Sequence, residues 1–426
     1  MPTLNHTIQN VFLVLLIVSG AITLWQMSSK GQISFIHWQT HISSETEEDR
    51  VIRQEDMPEK PTSTKCSPIN KVLFLKTHKT GSSTVTNIIN RYGIKKDLTF
   101  ALPKNKISFG WPKRLKIETV VPTYHKPDLL CNHARYNRLS MHFLFPKETT
   151  AYITILRDPV AQYESVFNYM KLWEGLNIPG SDSMEILEKY LQNVSTFRSA
   201  RMDSKLASCL LRNPMFFDLG LDFVYFQDMS AVWKYIQFLE SEFTLVMIME
   251  HFDESVVLLK RLLCWELEDV VYLKQNERQN KDKRNVSEKL KRNIRSWNQA
   301  DGMLYQAFNK TLWKKIAAQG PGFYEDLARF RKLQKELFEK CVKSSAPAKA
   351  YSGKYVKGYK LKDNLPPVTK KYCSDMIKNE LSFMTDNMER QKQMLNVYND
   401  QGDFSYLYDL DNNWDSGKDF LHHPEQ

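Results

Sequence analysis

The run KTHKTGSST at residues 76–84 has the composition of an anion-binding loop, and it directly follows the apolar segment VLFL at residues 72–75. Over residues 85–92 the apolar side chains recur at the spacing of one buried helix face, so a helix is predicted to begin near Gly81 to Ser83. A helix start presents free N–H groups and the positive end of the helix dipole, and the hydroxyl groups of the run add donors. The sequence therefore predicts a phosphate-binding loop. Its candidate ligands are Lys79, Thr80, Gly81, Ser82, Ser83 and Thr84.

The order of residues in this loop differs from that of the nucleoside-triphosphate loop Gly-x4-Gly-Lys-Ser/Thr, where the lysine follows the second glycine and the hydroxyl holds magnesium. Here Lys79 precedes the only glycine of the loop, Gly81, and no leading glycine is present. This order resembles the loop with which sulfotransferases bind the 5′-phosphosulfate of 3′-phosphoadenosine 5′-phosphosulfate (PAPS), a donor that requires no metal. Taken alone, the run is explained equally well as a basic turn that caps a helix.

A second cationic motif, Leu156-Arg157-Asp158-Pro159, follows another apolar run. Asp158 and Pro159 suit the start of a helix, so Arg157 is predicted to lie where a strand ends. A guanidinium together with the Ser165 hydroxyl matches a terminal phosphate monoester. Arg157 and Ser165 are therefore candidate ligands of a second phosphate, although a helix cap beside a surface arginine is the simpler account of this motif alone.

Three apolar runs predict buried strands of a parallel sheet: Lys71–Leu75, Ala151–Leu156 and Phe243–Met249. Each precedes a helical pattern, and this alternation is typical of an α/β fold with crossover helices. Ligands bind beyond the carboxyl ends of the strands in such sheets, so Lys79 and Arg157 are predicted to meet at one edge. Farther along the chain, residues 374–395 are predicted to form one helix.

The remaining segments predict a membrane-anchored protein. Residues 11–27 form an apolar span near the lower limit for crossing a bilayer, without the basic flank or the small-residue cleavage site of a secretory signal. We expect a cytoplasmic tail at 1–10, a transmembrane signal anchor at 11–27, a luminal stem at 28–68, a catalytic domain at 69–395 and an acidic tail at 396–426.

Two features favour a luminal, single-pass type II arrangement. Six cysteines would allow disulfides, with no pairing preferred, and three triplets are glycosylation acceptors at Asn193, Asn285 and Asn309. The net charge of +10 in 426 residues indicates an anionic partner. A membrane anchor argues against nucleic acid, and a nucleotide donor needs only a few of these cations.

Together, the two motifs resemble the donor-binding motifs of Golgi membrane-bound sulfotransferases. The segments LKTHKTGSST, LLCNHARY, ILRDP, FFDLG, HFDESVVLLKRLLCWELEDVVYLK and GYKL, spanning roughly residues 70–375, resemble the galactose 3-O-sulfotransferase family. Within it, LRDP and CWELEDV are most similar to the galactosylceramide (cerebroside) sulfotransferases. Gly81 stands where the family is expected to have alanine, and glycine should be tolerated because it lets the backbone approach an anion closely.

The resemblance implies a P-loop-like sulfotransferase fold, with a central parallel sheet flanked by helices, in the Golgi membrane. It implies transfer of a sulfuryl group from PAPS, without a metal, to the 3-hydroxyl of a terminal β-galactose. The expected acceptor is galactosylceramide or a related glycolipid, and galactose-terminated glycoprotein glycans are the alternative. A magnesium-dependent P-loop kinase and a non-catalytic glycan-binding protein are the other classes considered. The oligomeric state is not predicted.

Such a transfer needs charge stabilisation at the leaving phosphate oxygen and a base for the attacking hydroxyl. Lys79 is the candidate for the first task. Histidine suits the second, because its ordinary pKa is near 6.5. His133 resembles the position of the base in related hexose and uronate sulfotransferases, and it is ranked ahead of His78 because the loop faces the donor rather than the acceptor.

Overall fold

The structure is a computed structural model that describes residues 66–104, 108–194, 209–278, 286–349 and 355–399. The predicted cytoplasmic tail, the anchor at 11–27, nearly all of the stem, Asn285 and residues 400–426 lie outside these ranges. Within the described ranges, none of the helices has the length and apolar character needed to span a membrane.

A parallel four-stranded sheet forms the centre of the α/β fold. Its strands are β1 (Val72–Leu75), β2 (Leu129–Leu130), β3 (Ala151–Leu156) and β4 (Leu245–Ile248), in the spatial order β2-β1-β3-β4. Every strand residue is buried, as expected for a parallel sheet covered by helices on both faces. The three predicted strands are confirmed, with slightly narrower bounds for the first and third, whereas the two-residue β2 is too short to show a pattern.

The helices of the fold are divided into those that precede β4 in the chain and those that follow it. The helices before β4 are α1 (Ser82–Lys95), α2 (Arg138–Leu144), α3 (Pro159–Tyr169), α4 (Ser183–Gln192), α5 (Pro214–Asp218) and α6 (Met229–Glu242). The elements after β4 are α7 (Phe252–Leu263), α8 (Leu267–Val270), α9 (Glu288–Trp297), α10 (Gln299–Ala317), α11 (Gly322–Cys341), the antiparallel pair β5 (Val342–Lys349) and β6 (Tyr355–Leu361), α12 (Pro367–Ile377) and α13 (Glu380–Asn399).

Helix α1 is buried on its polar face as well as on the predicted apolar face. The apolar residues of residues 85–92 are confirmed as core. On the polar face, the Asn87 amide donates to the backbone carbonyls of Asp375 and Lys378, and the Asn387 amide donates to Asn90 Oδ1 at 2.9 Å. Helices α12 and α13 therefore cover a surface that the sequence pattern alone assigns to solvent.

The prediction of one continuous helix over residues 374–395 is wrong. Helix α12 ends at Ile377, Lys378 is extended, and the Asn379 side chain accepts the Ser382 N–H at 2.9 Å as an N-cap contact for α13. A disulfide between Cys341 and Cys373 joins α12 to the end of α11. The break turns the first residue of α13, Glu380, towards the loop after β1.

The short helix α5 is held by the start of α10. The Asp301 carboxylate accepts the N–H groups of Met215 at 3.1 Å and Phe216 at 2.9 Å. The Asn213 N–H donates to Asn298 Oδ1 at 2.7 Å, which fixes the entry to the same helix. Because α5 ends at Asp218, these contacts determine where the Asp218 side chain lies.

We expect Asp301 to make the free energy of unfolding depend on pH. Burial, reinforced by the nearby Asp218, raises the pKa of Asp301 from 3.8 to about 7. A carboxyl whose pKa is raised on folding stabilises the folded state fully below the unfolded pKa, and this contribution is lost as pH rises through the folded value. Urea unfolding should therefore show stability falling by up to about 1.4 kcal/mol per pH unit from this group between those pKa values.

The variant Asp301→Asn should be less stable at low pH but should show a flatter dependence on pH over that window, because it cannot titrate. Equal slopes for both proteins would contradict the assignment.

Candidate active site

The loop between β1 and α1 has the backbone shape of an anion cradle. Lys79 and Gly81 both adopt left-handed conformations, with φ of 61° and 81°. A Cβ atom on Gly81 would lie 2.3 Å from the Met249 sulfur, so the backbone runs close to its neighbours here. Gly81 caps α1 without a side-chain hydrogen bond to the first N–H groups. These donors at the positive end of the helix dipole suit an anionic ligand.

Two of the predicted hydroxyl ligands stabilise the loop itself. Thr80 Oγ1 and Ser82 Oγ donate to the Thr77 carbonyl at 3.2 and 2.8 Å. Thr77 Oγ1 donates in turn to the Ile155 carbonyl on β3. These bonds hold the cradle against the sheet and direct both hydroxyls inward.

The other two hydroxyls face a segment that crosses the start of α1. Ser83 Oγ accepts from Asn276 Nδ2 at 3.0 Å, and Thr84 Oγ1 accepts from the Gln275 N–H at 3.0 Å. In both bonds the hydroxyl is the acceptor, so its own hydrogen can serve an anion. Segment 275–278 therefore borders the cradle, a position that no motif in its sequence indicates.

The structure brings the second motif directly onto the loop. Arg157 Nη1 donates to the Lys79 carbonyl at 3.1 Å. Asp158 caps α3 by accepting the N–H groups of Val160 and Ala161, which confirms the predicted helix start, and Ser165 lies buried on that helix. The two motifs meet where the chain order of the sheet reverses, between β1 and β3, which is the usual ligand crevice of such sheets.

A further arginine lies beside this second motif. Arg278 forms a two-pronged ion pair with Glu164, with both nitrogen-to-oxygen distances 2.8 Å. Burial lowers the pKa of Arg157, Glu250 and Glu164 act in the opposite direction, and the charge of Arg278 lowers the pKa further. Arg157 is nevertheless cationic at any physiological pH.

The two candidate base histidines lie against each other. The rings of His78 and His133 stack with centroids 4.3 Å apart and planes inclined by 18°. His78 Nδ1 lies 2.8 and 3.0 Å from the two oxygens of Asp218, which also accepts the His78 backbone N–H at 2.8 Å. Trp111 Nε1 donates to the same carboxylate at 3.0 Å. His78 thus has a carboxylate partner.

His133 has a different environment. Burial lowers the pKa of His133 well below its usual value, and the charges of Lys76 and His78 lower it further. Its Nδ1 atom is buried without a hydrogen-bond partner. The His133 ring is therefore neutral near pH 7.

A largely buried ion pair lies near His133. Lys76, which is 2% exposed, pairs with Glu380 at the start of α13. Asn132 Nδ2 donates to the same carboxylate at 3.4 Å. The C-terminal helices therefore supply a side chain to the candidate site.

Besides Gln275 and Asn276, three charged residues of this site were missed from the sequence: Asp218, Arg278 and Glu380. Asp218 lies within FFDLG, which the resemblance includes, so an acidic residue inside an apolar motif was the available signal. Arg278 and Glu380 stand in polar stretches with no distinguishing pattern.

The predicted glycosylation sites lie away from the cradle motifs in the chain. Asn193 is exposed at the end of α4, whereas Asn309 is partly buried within α10. Acceptor asparagines are typical of surface loops, so Asn193 is the better placed of the two.

Comparison with known proteins identifies the class to which this site belongs. The family model described as galactose-3-O-sulfotransferase matches residues 2–391. The chain is similar to galactosylceramide sulfotransferase of Bos taurus, with 33% identity over 77% of this chain and 82% of that protein. It is also similar to galactose-3-O-sulfotransferase 2 of Homo sapiens, with 34% identity over 74% and 82%.

A third relative, galactose-3-O-sulfotransferase 3 of Mus musculus, is 35% identical over 63% of each chain. The protein belongs to the galactose-3-O-sulfotransferase family. The family resemblance inferred from the motifs is confirmed.

Removing the charge of Glu380 should destabilise the protein. Lys76 would be left as a buried ammonium without its counter-charge, and breaking one partner of a buried ion pair costs about 3 kcal/mol or more. Urea unfolding of Glu380→Gln should show this loss. Asp363→Asn, which breaks the exposed pair with Lys343, is the control and should change stability little. Equal losses in both variants would contradict a buried, mutually dependent pair.

Proposed function

We propose that this protein transfers a sulfuryl group from PAPS to the 3-hydroxyl of a terminal β-galactose, with galactosylceramide and related glycolipids as acceptors. The observation that carries the proposal is the Arg157–Lys79 hydrogen bond, which joins two cationic motifs beside a helix start whose N–H groups lack a side-chain cap. Family membership and similarity to galactosylceramide sulfotransferases support the reaction and the acceptor.

Different residues around the cradle bind the two phosphate groups of the donor. Lys79, the first N–H groups of α1 and the hydroxyls of Ser83 and Thr84 hold the 5′-phosphate. Arg157 and Ser165, with Arg278 nearby, hold the 3′-phosphate. Thr80 and Ser82 act through the backbone that they stabilise.

In the transfer, a bond forms between the acceptor oxygen and sulfur while the bond from sulfur to the 5′-phosphate oxygen breaks. The electron pair stays on that phosphate oxygen, where Lys79 neutralises it. The hydroxyl proton passes to one of the two stacked histidines. The products are the sulfated galactoside and adenosine 3′,5′-bisphosphate.

Both histidines belong to the proposed machinery, with His78 as the base and His133 as its neutral neighbour. His133 is ranked first from the sequence, but a base with a pKa far below the working pH accepts a proton poorly. The Asp218 carboxylate offsets the positive charge that His78 gains with the proton.

The cellular setting is also part of the proposal. The span at residues 11–27 would anchor the protein in the Golgi membrane as a single-pass type II protein with a luminal catalytic domain. Glycoprotein glycans that end in galactose are the second class of acceptor, because the names of two other relatives, galactose-3-O-sulfotransferases 2 and 3, specify galactose but no lipid.

The reaction is tested by incubating the full-length protein with labelled PAPS in EDTA and separate acceptors: galactosylceramide, lactosylceramide and N-acetyllactosamine. We expect label on galactosylceramide. Lys79→Ala and Arg157→Ala should each weaken binding of adenosine 3′,5′-bisphosphate by about 100-fold, because each removes a charged contact to phosphate. Lys343→Ala, in the exposed β5, is the control. No transfer to any β-galactoside would refute the proposal.

The choice of base is tested with His78→Ala and His133→Ala. We expect kcat to fall by about 100-fold or more in the first and by less in the second, with binding of adenosine 3′,5′-bisphosphate retained in both. The exposed His125 gives the control variant His125→Ala, which should behave as the parent. A fully active His78→Ala beside an inactive His133→Ala would make His133 the base.

A further inference from the structure

Asp218 is the completely buried carboxylate behind His78. Its exposed fraction is 0%, so it cannot itself contact a substrate. All its hydrogen bonds described above run to the phosphate loop or to Trp111: the His78 backbone N–H, His78 Nδ1 and the indole N–H. Any effect of Asp218 on chemistry must therefore pass through His78.

The partners of Asp218 determine which nitrogen of His78 carries the proton. The backbone N–H of His78 and the indole N–H of Trp111 can only donate, so the carboxylate oxygens serve as acceptors. An ionised carboxylate accepts and cannot donate, so His78 Nδ1 carries a hydrogen. In the neutral ring Nε2 then has a free lone pair, which is the state a base requires.

The helix that carries Asp218, α5, is held at both of its ends. Asp301 accepts two N–H groups at the start of α5, as described above. Arg135 Nε donates to the Phe217 carbonyl at 3.0 Å, and its guanidinium lies over the Phe217 ring. These contacts fix the position of the Asp218 carboxylate, so it would not move with the His78 ring if that ring changed conformation.

We propose that Asp218 is a positioning residue that holds His78 in the tautomer with hydrogen on Nδ1 and offsets the charge His78 gains when Nε2 takes the proton of the galactose hydroxyl. This inference rests on the proposed function. The proton moves from the acceptor oxygen to Nε2 as that oxygen bonds to sulfur, and Asp218 stays ionised throughout. No further reactant is needed.

A carboxylate that only stabilised the loop would show the same contacts, so the experiment must separate the two roles. The test variant is Asp218→Asn. Its amide offers one acceptor oxygen and one NH2 group to three donors, so His78 is expected to turn its hydrogen to Nε2 and lose the basic lone pair. Glu242→Gln is the matched control, because Glu242 is a second buried carboxylate paired with a histidine, the partly buried His142.

For Asp218→Asn we expect kcat to fall by about 100-fold or more, with KM for both substrates and affinity for adenosine 3′,5′-bisphosphate unchanged within about twofold. Glu242→Gln should lower the urea concentration at the midpoint of unfolding but leave kcat unchanged. A loss confined to stability or to KM in Asp218→Asn would overturn the proposal.

A double variant gives a second readout. If Asp218 acts through His78, adding Asp218→Asn to His78→Ala should reduce kcat no further, whereas independent effects would multiply. Activity of the parent protein on galactosylceramide establishes the proposed function separately. An inactive parent refutes that function, and an active parent with multiplying effects refutes only the role of Asp218.

A measurement on the unmodified protein covers the case in which Asp218→Asn fails to fold. Nitrogen-15 NMR of histidine-labelled protein, assigned by comparison with His78→Ala, should show a protonated Nδ1 and a bare Nε2 on His78. Hydrogen on Nε2 of the neutral ring would contradict the proposal.

Discussion

The site depends on holding several cations close together at one edge of the sheet despite their mutual repulsion. Lys76 is buried near the ends of β1 and β3, and Lys79, Arg157 and Arg278 lie partly buried around it, so water screens their charges less than at an open surface. Two ion pairs reduce this electrostatic repulsion: Glu380 pairs with Lys76, and Glu164 pairs with Arg278. The pairs hold side chains in fixed directions, and buried charges require such partners.

This charge distribution also separates the roles of the two histidines. Burial and the nearby cations both oppose a positive charge on His133, so its ring is kept neutral. The His78 ring stacks on the His133 ring, but His78 also contacts the negatively charged carboxylate of Asp218. A pair of like groups in one pocket can therefore behave differently, because a single carboxylate contacts only one of them.

Much of the fold was predictable because its signals are local. The run VLFL before a basic loop and the motif LRDP each combine a strand end with a helix start, and the rule for parallel sheets places both at one edge. The carboxylate partners of Lys76 and His78 were not predictable in this way. Lys76 and Glu380 are 304 positions apart, and His78 and Asp218 are 140 apart, so no periodicity connects them. The burial of Asn87 and Asn90 on α1 was not predictable from local sequence either, because the residues that cover them belong to the distant helices α12 and α13.

The C-terminal helices are accordingly part of the site rather than an addition to it. The extended Lys378 and the Asn379 cap redirect the chain so that α13 begins beside the loop after β1. A continuous helix over the same residues would not make that turn and could not direct Glu380 at Lys76. The disulfide between Cys341 and Cys373 fixes α12 to α11, and hydrogen bonds from Asn87 fix the carbonyls at the end of α12 to α1. Because the donor cradle stands at the start of that same α1, the position of the C-terminal helices and the geometry of the cradle are mechanically linked.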